Sequence, residues 1–246
     1  MKKQRFSDSG SPRRRRFLQA FASGTTLFLA GWSPNRSLAD VKTGSSPASV
    51  EEEVSPGEDL MREHGVLKRV LLVYGEAIRR LEVNKDLSPE VLTNSVEIIR
   101  SFIEDYHEKL EEDYLFPRFK KANKLVDLVD ILQEQHRAGR RLTDTVLLIS
   151  KTQRLSSAED RKALADALNL FIRMYNPHAA REDTVLFPAL HEIVTANEYG
   201  ELGEDFERKE HELFGDGGFE KMVERVAAIE KSLGLYELAQ FTPKGR

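Results

Sequence analysis

Residues 107–117 read HEKLEEDYLFP, and residues 178–188 read HAAREDTVLFP. Each phrase opens on His, has Glu fifth and an acid sixth, and closes on Leu-Phe-Pro; they begin 71 residues apart. Residues four apart on an α-helix lie about 40° apart on one face, so His107 stands over Glu111 and His178 over Glu182. Ile103 and Leu115 flank the first pair by one turn, and Met174 and Leu186 flank the second. Each polar pair therefore lies on a stripe that should pack inward. A buried imidazole or carboxylate without a partner costs on the order of several kcal/mol, so convergence on a cation accounts for placing them there. A duplication preserving only packing would account for Leu-Phe-Pro but not for His-x-x-x-Glu twice. Pro117 and Pro188 are expected to perturb the helix just beyond each pair.

Outward from these phrases, apolar residues keep helical spacing, as in Leu60, Leu67, Leu71 and Ile78, and in Val91, Ile98, Phe102 and Ile103. Ser55-Pro56 and Ser88-Pro89 place a capping hydroxyl before a proline at the first helical position, and Ser156 with Glu159 fits a capping box. Helices are expected at about 57–83, 89–121, 125–153 and 158–196. Short connections favour antiparallel neighbours, and no stretch alternates as a strand would. The fold class is thus all-α: an antiparallel four-helix bundle over residues 57–200. A C-terminal helical extension follows over 201–246, where Phe219, Met222, Val223, Val226, Ile229 and Leu233 form one apolar stripe. Aromatics at 8% and charged residues at 32% suit a soluble helical protein better than a β-sandwich or a membrane protein. There is no cysteine, which excludes iron–sulfur clusters, thiolate zinc sites and disulfides and leaves His and carboxylate as the metal donors.

Charge is distributed unevenly. Residues 1–39 hold eight Lys/Arg and one Asp, a net +7, which leaves −11 on the remainder of a chain whose total is −4. So acidic a body repels nucleic acid. Arg13 to Arg16 precede an apolar run from Phe17 to Trp32, and Ser37-Leu38-Ala39 has the form of a signal-peptidase site. Residues 1–39 therefore read as an export signal cut after Ala39. Arg14-Arg15-Arg16-Phe17-Leu18-Gln19 resembles the twin-arginine type, which implies the twin-arginine export machinery as a partner and a periplasmic destination. The run, interrupted by Gln19, Ser23, Thr25 and Thr26, falls short of the ~20 apolar residues of a spanning helix. Residues 40–56, rich in Gly, Ser, Pro and Glu, read as a flexible linker.

Four of the six histidines fall one to each expected bundle helix: His64, His107, His136 and His178. With the two His-x-x-x-Glu phrases, this pattern resembles the hemerythrin-like, or HHE cation-binding, family over roughly residues 57–196. The resemblance implies a four-helix bundle around a non-haem di-iron centre, with manganese or a mixed pair also compatible with the donors. His64, His107, His136 and His178 would be terminal ligands and Glu111 a bridging carboxylate. The second bridge would be Glu182, which repeats the Glu111 spacing, or Asp183, at the spacing of oxygen-carrying members. Those carriers have a second histidine on the third helix, where this chain has Arg140. Glu108, directly after His107, or His211 in the extension would complete the set. His191 lies about 220° around the helix from His178 and is left out.

Such a centre would bind a small diatomic or peroxide ligand, or take up iron. A second expectation is an enzyme that decomposes peroxide or reduces NO in the periplasm. Tyr106, Tyr114 and Tyr175 near the site are candidate proton or electron donors, and Arg140, if buried, needs an acid or an anionic ligand. Ferritin-like oxidases use Glu-x-x-His twice, a spacing that among the four bundle histidines occurs only as Glu104-x-x-His107. The zinc-peptidase pattern also fails, because Glu111 stands where a second His would be required.

Overall fold

The computed structural model describes residues 54–83, 85–151, 157–243 and 245. Residues 1–39, read above as an export signal, and most of the expected linker lie outside the described residues. The chain is all-α, as expected. Helix α1 spans Pro56–Glu82. Helix α2 runs over residues 89–121, helix α3 is Val126–Lys151, and helix α4 runs over residues 158–190. Together α1 to α4 form a closed ring in which α1 packs on α2 and α4, and α3 on α2 and α4. Two further helices, α5 (Ala196–Phe214) and α6 (Gly218–Leu233), cover α1 and α2 from outside. Among the described residues no helix is long and apolar enough to cross a membrane.

The expected caps hold at α1 and α2, where Ser55 and Ser88 accept from the N–H groups of Glu58 and Glu90. Helix α4 starts differently. Ser157 accepts from Asp160 N–H at 2.9 Å, so the cap uses the second of two adjacent serines and the second of two adjacent acids. Ser156 lies outside the described residues. The far end of α4 also differs from the expected 196. The helix stops at Leu190, and α5 begins behind a reciprocal capping box in which Thr195 and Glu198 satisfy each other's backbone N–H. That Thr-x-x-Glu signal follows two β-branched residues, Ile193 and Val194, which the helical apolar pattern had absorbed.

Pro117 and Pro188 do disturb their helices, and in the same way. In both, one turn widens to π geometry, at Glu111–Leu115 and at Glu182–Leu186, with the N–H of Phe116 reaching back to Glu111 and that of Phe187 to Glu182. A proline ring crowds the carbonyl four residues earlier, and the wider register relieves that contact. The doubled Leu-Phe-Pro therefore sets one local bend twice, starting at the two glutamates. A further π stretch, Ile99–His107, lies only on α2.

Apolar residues of all six helices form one core, which includes Leu67, Val70, Phe102, Phe119, Leu132, Leu168 and Phe171 from the bundle and Leu202, Phe206 and Val226 from the covering pair. The cover is fixed by a two-pronged ion pair: Arg69 Nε and Nη2 donate to Glu230 Oε1 and Oε2 at 3.0 and 2.5 Å. Gly139 on α3 admits the Tyr175 ring, since an added Cβ would stand 2.0 Å from Tyr175 Oη. Gly139→Ala should therefore cost about 1–3 kcal/mol and lower the thermal midpoint by several degrees. Gly75→Ala, whose methyl meets nothing within 4 Å, should instead raise stability by about 0.5–1 kcal/mol. Thermal unfolding of the two variants checks both signs.

Candidate metal centre

Six residues from the four bundle helices meet in the interior: His64 from α1, His107 and Glu111 from α2, His136 from α3, and His178 and Glu182 from α4. All are buried. Two groups can be distinguished, His64–His107–Glu111 and His136–His178–Glu182, each with its donor atoms within 4.8 Å of one another. The carboxylates connect them. Glu111 Oε1 lies 3.8 Å from His107 Nε2 while its Oε2 lies 3.3 Å from His136 Nε2. Glu182 Oε2 lies 3.1 Å from His178 Nε2 and 3.3 Å from His64 Nε2. Both oxygens of both glutamates, and His136 Nε2, are buried without a hydrogen-bond partner. Orphaned acceptors of this kind in a dry interior are what a cation would satisfy, and the nitrogen and oxygen donors suit iron or manganese.

The four imidazoles present Nε2 inward because Nδ1 is held from outside. His64 Nδ1 meets Asp183 Oδ1 at 2.6 Å, and His107 Nδ1 meets Glu63 Oε2 at 2.8 Å. His136 Nδ1 meets Glu112 Oε1 at 3.1 Å, and His178 Nδ1 meets Gln135 Oε1 at 2.8 Å. Such contacts fix ring orientation and turn Nε2 inward, where the Nε2 atoms of His64 and His107 lie 3.0 Å apart. The scheme is written twice. The residue before His64 and the residue before His136 hold the histidines of α2 and α4; the residue after Glu111 and the residue after Glu182 hold those of α3 and α1. Phe116 and Phe187, the Phe of each Leu-Phe-Pro, stack on His136 and His64, both at 5.5 Å and 23°. Lys68 and Arg140, one turn past the histidines of α1 and α3, pair with Asp183 and Glu112 at 2.9 Å each.

The remaining sequence candidates lie elsewhere. Asp183 holds His64 and Lys68 from outside and is not in the inner cluster; Glu182 is. Glu108 does not join the inner set. Its Oε1 accepts from Tyr175 Oη at 2.6 Å and its Oε2 pairs with Arg140 at 2.7 Å. Its nearest His136 nitrogen is the outer Nδ1, 4.0 Å away. Arg140 thus pairs with the carboxylate that was expected to replace the missing histidine, and Glu108 forms a separate donor group with Glu112 and His136. His211 is 59% exposed beside Asp216, separate from the bundle interior. His191 packs on Tyr199 with ring centroids 3.9 Å apart. Of the flanking apolar residues, Ile103, Leu115 and Leu186 are fully buried and Met174 is partly so. Glu63, Glu112 and Gln135 were missed; their only signal is adjacency to a ligand candidate.

Burial works against protonation of His64, but Asp183 and Glu182 outweigh it and lift its pKa to about 9. Burial lowers His136 to about 4 despite Glu112. Burial, then the charges of Glu182 and Glu108, push Glu111 well up, while His178 and His64 outweigh burial and hold Glu182 down. Burial raises Glu108 to about 8 against the opposing Arg140 and Tyr175.

Comparison with known proteins gives one family. The hemerythrin HHE cation-binding domain model matches residues 55–190 and again 127–243. Uncharacterized proteins of Mycobacterium bovis and of two Mycobacterium tuberculosis strains are 50% identical over 193 residues, covering 78% of this chain and 76% of each relative. No solved structure gives a significant match.

At pH 7 the metal-free protein should carry a proton on His64, whose pKa lies at about 9, and a metal must displace it. Adding Fe²⁺ or Mn²⁺ in weak buffer should therefore release about one proton per chain from His64. Raising pH through about 9 strips His64 of its proton, so apparent affinity should climb between pH 7 and 9. A pH indicator in the metal titration reads the release, and its absence would contradict the assignment.

Proposed function

We infer that this chain, which belongs to the hemerythrin HHE cation-binding family, is an exported protein that holds two non-haem iron ions. There it takes up a small ligand, O₂, NO or peroxide, or serves to take up iron itself. The observation that carries this reading is the pair of buried glutamates, each facing histidines of both groups, with all four oxygens unpartnered. His64 and His107 would hold one ion and His136 and His178 the other, with Glu111 and Glu182 spanning the two. Iron there would supply a reversible electron change and coordination positions for a small ligand, and manganese or a mixed pair is compatible with the same donors.

The protein's own groups define how that ligand would be received. Leu115, Leu186, Phe116 and Phe187 form an apolar wall that limits water and tunes the centre's potential. Asp183, Glu63, Glu112 and Gln135 keep the histidine rings from turning. The export part of the reading rests on residues 1–39, and the exported protein should begin at Asp40.

The mature protein from iron-replete cells should contain about two irons per chain, and its spectrum should gain a charge-transfer band on exposure to air, NO or peroxide. Reversal of that band on ligand removal supports uptake without turnover. His107→Ala and Glu111→Ala should each lose iron and the band while far-ultraviolet circular dichroism stays helical. Full iron in Glu111→Ala would sink the reading.

A second reading, an enzyme that decomposes peroxide or reduces NO, is favoured by one observation. The Tyr175 hydroxyl is held on Glu108, which Arg140 pairs at a partly open surface, 22% exposed. A phenol and a raised-pKa acid beside His178 and His136 are groups able to hold and pass a proton. Catalytic loss of peroxide that disappears in Tyr175→Phe with iron content intact would favour turnover over uptake.

A further inference from the structure

Asp59 and Glu63 of α1 and Glu210 of α5 each bring a carboxylate oxygen within 4.8 Å of the others, and all three residues are buried. They stand outside the inner cluster and touch it at one point, where Glu63 Oε2 meets His107 Nδ1. The internal repeat indicates that this negative charge is not required by the histidines. At the matching place on α3, Gln135 holds His178 through a neutral amide at the same 2.8 Å. The counterpart of Asp59 is Ile131, which lies exposed. At both of these places the acid stands in the half that α5 covers.

Two observations set this apart from a mere acidic cluster. Glu63 is fully buried, and its second oxygen, Oε1, has no hydrogen-bond partner. Glu210 is held in position by its surroundings: its Oε1 accepts from Phe219 N–H at 2.8 Å at the start of α6. A Cβ on Gly218 would fall 2.7 Å from that same oxygen, so the turn between α5 and α6 is shaped around the carboxylate. We propose that Asp59, Glu63 and Glu210 bind a third divalent cation, one of the hard, oxygen-preferring class such as Mn²⁺, Fe²⁺ or Mg²⁺. Three carboxylates with no imidazole or thiolate select that class. The ion joins the extension to the bundle and, through Glu63, bears on the placement of His107. Arg62, the residue before Glu63, lies with its guanidinium over the Phe219 ring at 4.5 Å.

Mn²⁺ binding to the metal-free mature chain, counted from the resonance of the free aqua ion, tests this directly. Glu210→Gln keeps an oxygen for the Phe219 N–H and removes one anionic donor, so it should bind one equivalent fewer than the unaltered chain, whatever the starting count. Equal counts in the two proteins overturn the proposal. Loss of iron from the histidine centre would not alter that difference, so the two readings fail separately. Should Glu210→Gln misfold, anomalous scattering from Mn²⁺ in crystals of the unaltered protein decides: a peak between Glu63 and Glu210 supports the site, and none at that place overturns it.

Discussion

Glu111 and Glu182 face each other across the middle of the bundle with no hydrogen-bond donor for any of their four oxygens. Two carboxylates so placed repel, and burial removes the water that would screen them. Burial, with the repulsion added, lifts Glu111, and imidazoles hold Glu182 low, so the metal-free interior shares protons where ions would sit. Much of the surrounding design follows from that constraint. Each histidine is turned inward by an outer oxygen, each outer acid of α2 and α4 is in turn tied to a cation, and aromatic rings close two imidazole faces.

The doubled phrase has a mechanical meaning that goes beyond its ligands. Its proline widens one helical turn beginning at the glutamate, its phenylalanine stacks on a histidine of another helix, and its sixth residue holds that same ring. Eleven residues thus specify a ligand pair, a bend, an aromatic wall and an outer clamp. Written on two helices, they supply most of a centre whose other two histidines come from α1 and α3. The places where the halves differ identify what is particular to this chain. Glu63 stands against Gln135, Glu108 against Ala179, and Glu104 against Tyr175. The last two differences meet, since Tyr175 bonds Glu108, and the first leads to the acids under the extension.

Helices α5 and α6 are therefore more than a hydrophobic cover. They add Phe206 and Val226 to the shared core, and the Arg69–Glu230 pair fixes them to α1. Glu210 brings them within one residue, Glu63, of a histidine in the centre. A change in how the cover sits would be felt at His107 first.

The all-α class, the bundle, the four histidines and the two His-x-x-x-Glu pairs were legible in the sequence because they are local and periodic: a fixed pitch decides which residues share a face. The caps were legible for the same reason, to within the one-residue shift at Ser157. What the sequence left open were choices between adjacent or distant donors. Glu182 and Asp183 differ by one position, and only the packed position of α4 turns one inward and the other toward His64. For Glu108 no pattern in the sequence signalled Arg140, a helix away, which pairs with it outside the inner cluster. Glu63, Gln135 and Glu210 carry no pattern of their own, since a contact between side chains of different helices depends on how rods are rotated and set side by side. That geometry is fixed by the whole core and by no single stretch of it.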